Sequence, residues 1–215
     1  MFETVILSIE SELTQNEFNV LMKLVSLEKQ KRIKQFHFIR DAWNCLLGDV
    51  LARVEICRAT GLSNQHLEFS TNTYGKPFLV NSPHIHFNIS HAGNFVACAI
   101  ADEPIGIDIE IIKPTEMKIA ERFFAPDEVT YITSDGSIYR FYEVWTKKES
   151  RIKWEGTGLS IPLSSFSVFD KNVQGAPTYH CVFQSNDAIC HVCSSKQTLA
   201  SVRFMDAASF IKNIV

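Results

Sequence analysis

The stretch Ile105-Gly106-Ile107-Asp108-Ile109-Glu110-Ile111 constrains this chain more than any other. Isoleucine at every second position is the period of a half-buried β-strand. Side chains two apart on a strand share a face, so Asp108 and Glu110 point one way and Ile105, Ile107 and Ile109 the other. Two carboxylates this close resist joint ionisation unless a cation lies between them. A hard divalent ion with oxygen ligands, Mg²⁺ first, suits such a pair. The ordinary alternative is a solvated acidic face, and this stretch alone does not decide between them.

The 215 residues allow one large domain or two small ones, and 46% hydrophobic with 21% charged residues describes a folded, soluble chain. A net charge of −3 argues against a general nucleic-acid binder. No apolar run is long enough to span a bilayer, so no membrane partner is expected. The first residues carry an early acid and no basic segment, unlike a secretory signal, and the expected compartment is the cytoplasm. Of the six cysteines, Cys190 and Cys193 have C-x-x-C spacing inside a strand-like run. They lack a second ligand pair for zinc and a helix N-terminus for redox chemistry. They read as buried thiols.

Along the chain, residues 2 to 9 predict a strand. Thr14 and Glu17 form a capping box that starts a helix. From Ser26 a basic helix follows, with Lys29 and Arg32 sharing a face. That face is either solvated or an anion clamp. Trp43, Leu47, Val50, Leu51 and Val54 recur at helical spacing up to Gly61. Gly75 and Pro77 predict a tight bend with Lys76 at its apex. Residues 85–91, 95–100 and 105–111 read as three strands of an antiparallel meander, with Ser90 and His91 close to the acidic strand. A serine hydrolase is excluded for want of a nucleophile elbow and base. Pro126 with Asp127 and Glu128 opens a further helix. In the last long helix Phe141, Val144, Trp145, Lys148 and Ile152 recur on one stripe, and Glu149 with Lys153 forms an i,i+4 pair. That pair is either a surface ion pair or a ligand and a phosphate cation. The region after 160 reads as strands and turns without a site signal.

Phe87-Asn88-Ile89-Ser90-His91, Ile105 to Glu110, Trp145-Thr146-Lys147-Lys148-Glu149-Ser150-Arg151-Ile152-Lys153 and Tyr74-Gly75-Lys76-Pro77 together resemble the 4′-phosphopantetheinyl transferases of the surfactin-synthetase-activating type. The resemblance covers roughly residues 1 to 170, and more loosely the remainder. It implies an α/β (α+β) fold of two similar halves, 1–103 and 104–215, in a pseudo-two-fold arrangement with the active site between them. It implies transfer of the 4′-phosphopantetheine group of coenzyme A to a serine of an apo acyl or peptidyl carrier protein, releasing adenosine 3′,5′-bisphosphate. Asp108, Glu110 and Glu149 would hold Mg²⁺, with Mn²⁺ as the alternative ion. Glu149 and Lys153 would be catalytic. Lys29, Arg32, Gly75, Lys76, Pro77, Ser90, His91, Lys148 and Lys153 would bind coenzyme A. Asn44 and Thr157 stand where a basic residue is expected. A monomer is expected, and the carriers would serve fatty-acid, polyketide or nonribosomal peptide synthesis. A coenzyme A- or carrier-binding protein with little turnover is the alternative, and a Mg²⁺-dependent phosphohydrolase a third reading.

Overall fold

The computed structural model describes residues 2–170, 175–197 and 201–214, apart from the side chain of Leu159. Strand β1 (Phe2–Ser8) is central in a four-stranded sheet of order β4-β5-β1-β9, built with β4 (His86–Ala92), β5 (Phe95–Ala101) and β9 (Val202–Asp206). A second sheet, β6-β8-β7, contains β6 (Ile105–Ile111), β7 (Thr178–Gln184) and β8 (Ala188–Ser194). Each sheet carries one long helix: α3 (Ile39–Thr60) on the first and α6 (Ile138–Glu155) on the second. This is a mixed α/β fold of two sheet-containing halves. Shorter elements complete it: α1 (Gln15–Met22), α2 (Leu27–Ile33), the ribbon β2 (Phe69–Thr71) with β3 (Pro77–Leu79), α4 (Lys118–Phe123), α5 (Pro126–Thr133) and α7 (Ala207–Lys212). Among the described residues no helix is long and apolar enough to cross a membrane.

The local sequence signals lie where the chain needs them. Thr14 accepts from the Glu17 amide, and the Glu17 carboxylate accepts from the Thr14 amide at 2.8 Å, which satisfies two orphan donors of α1. The Ser26 hydroxyl caps α2 by accepting from the Lys29 amide at 3.2 Å, without a reciprocal bond, and Pro126 opens α5.

The meander expected over residues 85–111 forms only in part. β4 and β5 pair antiparallel, but β6 pairs with β8, Asp108 standing opposite His191. The reason lies in the isoleucines. Ile105, Ile107 and Ile109 pack face to face on the small side chains of Ala97, Ala99 and Ala101 of β5, a large-on-small fit that an edge-to-edge pairing would forfeit. β6 still runs beside β4, but side chains bridge this seam. The amide of Ile107 donates to Asn88 Oδ1 at 2.9 Å and that of Ile109 to Ser90 Oγ at 3.3 Å.

The C-terminal segment also crosses over. β9 pairs in parallel with β1, so residues 202–206 join the sheet of the first half, although a division at 103/104 assigns them to the second. β9 covers the edge of β1 that would otherwise present unpaired backbone groups.

Candidate active site

The acidic strand meets α6 because of Gly106. A Cβ at this position would overlap the Ser150 carbonyl oxygen and the Trp154 main-chain nitrogen. Without it, the last turns of α6 lie directly on the strand. Asp108 and Glu110, on the same face as Gly106, are thereby brought against Trp145, Glu149 and Lys153, and together with Ser90 and His91 of β4 they line one cavity.

Asp108 is 4% exposed. Its Oδ1 accepts from Lys153 Nζ at 2.6 Å and from the Ser90 hydroxyl at 3.0 Å, while its buried Oδ2 has no partner. Burial raises its pKa, against the opposing pull of Lys153 and Ser90. Burial and repulsion from Asp108 push Glu110 up to about 7, although Trp145 Nε1 donates to it at 3.3 Å. Glu149 is raised by the same two causes. His91 is lowered, first by burial and then by Lys153, so its imidazole is neutral at pH 7. Three carboxylates are thus held where ionisation is unfavourable, with one ammonium among them and one buried oxygen free. Oxygen donors in this state fit a hard divalent cation. Among the described residues, however, no three His, Cys, Asp or Glu side chains converge closely enough to form a metal cluster as they stand.

Two further cavities adjoin this one. One opens toward α2 and α3 and is lined by Lys29, Arg32, Arg53, Asp49 and Phe69, with Gly75, Pro77 and Ile89. Another is lined by Tyr74, Gly75, Lys76, Pro77, Asn88 and Lys153. Ile89 is common to the first and the acidic cavity, Lys153 to the second and the acidic cavity, and Gly75 and Pro77 to the two new ones. These shared residues make the three cavities neighbours, and together they form a cleft with Lys29, Arg32 and Arg53 beside Glu28 and Asp49 at one end and Asp108, Glu110 and Glu149 at the other. Lys29 pairs with Asp49 at 3.1 Å. Arg53 also pairs with Asp49, donates to Asn64 at 3.1 Å and stacks over Phe69 at 4.7 Å. Sequence reasoning missed Asp49 and Arg53. Their i,i+4 spacing on α3 was the available signal.

The structure brings Asp108, Glu110, Glu149, Lys153, Ser90 and His91 together, and Lys29, Arg32, Gly75 and Pro77 at the other end. Two lysines depart from expectation. Lys148 does not enter the cleft. It is fully buried beneath α6, where it pairs with the equally buried Glu128 at 2.7 Å and donates to the carbonyls of Leu163 and Phe166, each at 2.7 Å. Its neighbours Val144 and Ile152 on the helical stripe face the core, and it follows them. From this position it makes no contact with a phosphate in the cleft. Lys76 borders the cleft, but its ammonium is not presented at a loop apex. It turns inward onto the carbonyls of Ile105, Lys153 and Trp154, and burial lowers its pKa to about 8. Lys153 bonds Asp108 and Ser90. Asn44 is buried and donates to the Gly93 carbonyl at 3.1 Å. Cys190 and Cys193 are free, buried thiols on β8.

Two family models match adjacent parts of the chain: one described as 4′-phosphopantetheinyl transferase, N-terminal, over residues 12–103, and one described as 4′-phosphopantetheinyl transferase superfamily, over residues 104–208. Among curated proteins, the chain is 46% identical over 159 residues to 4′-phosphopantetheinyl transferase Sfp of Bacillus subtilis, covering 73% of this chain and 71% of that protein. It is 40% identical over 175 residues to 4′-phosphopantetheinyl transferase gsp of Aneurinibacillus migulanus, covering 80% and 73%. A more distant match, 28% identical over 183 residues, is the mouse L-aminoadipate-semialdehyde dehydrogenase-phosphopantetheinyl transferase, covering 76% of this chain and 59% of that protein.

Proposed function

The chain belongs to the 4′-phosphopantetheinyl transferase superfamily, and from that premise we propose that its cleft moves the 4′-phosphopantetheine group of coenzyme A onto a serine hydroxyl of an apo acyl or peptidyl carrier protein. The observation that carries this reading is the polarity of the cleft: cations at one end, and at the other an ammonium among three carboxylates whose pKa values are raised.

Lys29 and Arg32, with Arg53 behind them, take the nucleotide phosphate, and the backbone of Gly75 and Pro77 borders the adenine. His91 and Lys153 meet the pyrophosphate. Asp108, Glu110 and Glu149 would hold Mg²⁺, and the unpartnered Asp108 Oδ2 supports that assignment. When bound, the ion supplies positive charge to the pyrophosphate and the leaving group. The serine oxygen of the carrier attacks the β-phosphorus. A new P–O bond forms, the bond to adenosine 3′,5′-bisphosphate breaks, and the serine proton passes to a base. Glu149 is assigned that role because it lines the acidic cavity beside Asp108 and Lys153. Lys153 balances the negative charge that develops on the bridging oxygen. No covalent enzyme intermediate is needed, because the serine of the carrier is itself the nucleophile. Phe123, 44% exposed at the end of α4, is the apolar side chain we assign to the carrier. The residues named here all belong to one chain, and we propose that the enzyme acts as a monomer in the cytoplasm.

The test is release of adenosine 3′,5′-bisphosphate from coenzyme A with and without apo carrier. Release that requires the carrier, mole for mole with its modification, supports the transferase. Release without the carrier assigns a phosphohydrolase instead, and binding of coenzyme A without release assigns a binding protein.

A further inference from the structure

The last turn of an α-helix leaves its final carbonyls without intrahelical partners. In α6 the Ile152 carbonyl is taken by the Gly156 amide at 2.9 Å. The next two, those of Lys153 and Trp154, are taken by the ammonium of Lys76, which also reaches the Ile105 carbonyl at 3.0 Å. An ammonium has three N–H donors, and all three are spent on main-chain oxygens. A cation at this place also complements the negative end of the helix dipole.

The loop that carries Lys76 is itself fixed. The Asn72 side chain accepts from the amides of Tyr74 and Lys76, each at 2.9 Å, and donates to the Gly156 carbonyl at 2.8 Å. Gly156 ends α6 with φ +70°, and a Cβ there would lie 2.9 Å from Lys76 Cδ. A glycine both completes the helix end and leaves room for the lysine stem. Lys76 therefore joins the loop of the first half to α6 and to the start of β6, the two elements that carry Lys153 and Asp108.

We infer that Lys76 is a positioning residue for Lys153: by holding the Lys153 carbonyl it fixes the residue whose ammonium rests on Asp108 and Ser90, and it spends no donor on substrate. This rests on the transferase reading given above. It also links the two ends of the cleft, since Gly75 and Pro77 on either side of Lys76 line the nucleotide end.

The test is a double-mutant cycle of Lys76→Met and Lys153→Ala, read as kcat and as KM for coenzyme A, with Asn72→Ala run in parallel as a milder break of the same clip. Lys76→Met is expected to lower kcat about tenfold or more with KM changed less than about threefold, and to cost less than about twofold further in kcat in the Lys153→Ala background. The Asn72→Ala cycle is expected to show the same non-additivity at smaller size, and it decides the matter if Lys76→Met does not fold. A large rise in KM at unchanged kcat would make Lys76 a substrate ligand and overturn the inference, as would losses that multiply in the double variant. Wild-type turnover, measured first, separates failure of this inference from failure of the transferase reading. Independently of turnover, the side-chain NMR resonances of Lys153 should move to those of a free lysine in Lys76→Met, and unchanged resonances would contradict the assignment.

Discussion

Lys153 Nζ rests 2.6 Å from Asp108 Oδ1, and this pair joins the end of α6 to the middle of β6. Around it stand Ser90, which bonds both partners, and two further carboxylates that nothing neutralises to the same degree. Charge at this junction is the property on which the proposed chemistry depends.

Removing the ammonium by Lys153→Ala should lower kcat by about a hundredfold, the scale of losing one charged donor at a reacting centre. Lys153 is the chief influence holding the Asp108 pKa down against burial. Without it that pKa rises further, so the acid limb of the pH–rate profile should move to higher pH. An unmoved limb would separate Asp108 from catalysis.

Lys148→Met should destabilise the fold by about 3 kcal/mol or more, because it leaves Glu128 buried without its counter-charge. Urea denaturation measures this. If the variant were instead as stable as wild type with a raised KM for coenzyme A, Lys148 would belong to the substrate site.

Gly106→Ala inserts a methyl group where α6 touches β6. Backbone cannot yield as a flexible side chain does, so a cost of about 3 kcal/mol or more is expected, together with loss of activity in whatever folds. A crystal structure of the variant with α6 undisplaced would contradict this account of the close approach.

His191 is buried, with Nδ1 at 2.8 Å from the Thr146 hydroxyl, and burial lowers its pKa to about 3. The unfolded chain therefore takes up a proton here below about pH 6.5, while the folded chain stays neutral. The resulting stabilisation is present above pH 6.5 and is lost as the pH falls toward 3. Between pH 6.5 and 4 the wild type should lose about 3 kcal/mol more stability than His191→Gln does, in urea titrations at each pH. Parallel losses in the two proteins would count against a neutral buried imidazole.

Much of this architecture was legible. The alternation from Ile105 to Ile111 gives the strand, the shared face of Asp108 and Glu110, and the apolar face that meets Ala97, Ala99 and Ala101. Thr14 with Glu17, and Pro126, announce helix starts through local hydrogen bonding and ring geometry, which depend on neighbours in sequence. The partner of β6 was not legible, because a two-residue period fixes a face and leaves the neighbouring strand open. Nor was the return of β9 to β1, a pairing about 200 residues apart. Lys148 was legible in principle. It shares the core-facing stripe of Val144 and Ile152, and a lysine there requires a buried acid, which Glu128 supplies from α5. The inward turn of Lys76 could not be read, since its acceptors are main-chain carbonyls, which leave no trace in residue type.

The most direct test is intact-mass spectrometry of apo carrier proteins incubated with this protein, coenzyme A and Mg²⁺, with Asp108→Ala in parallel. The account predicts a phosphopantetheine mass gain on the carrier with wild type and none with the variant. No gain on any carrier while coenzyme A remains bound would contradict it, and an equal gain with Asp108→Ala would remove the acidic strand from the chemistry.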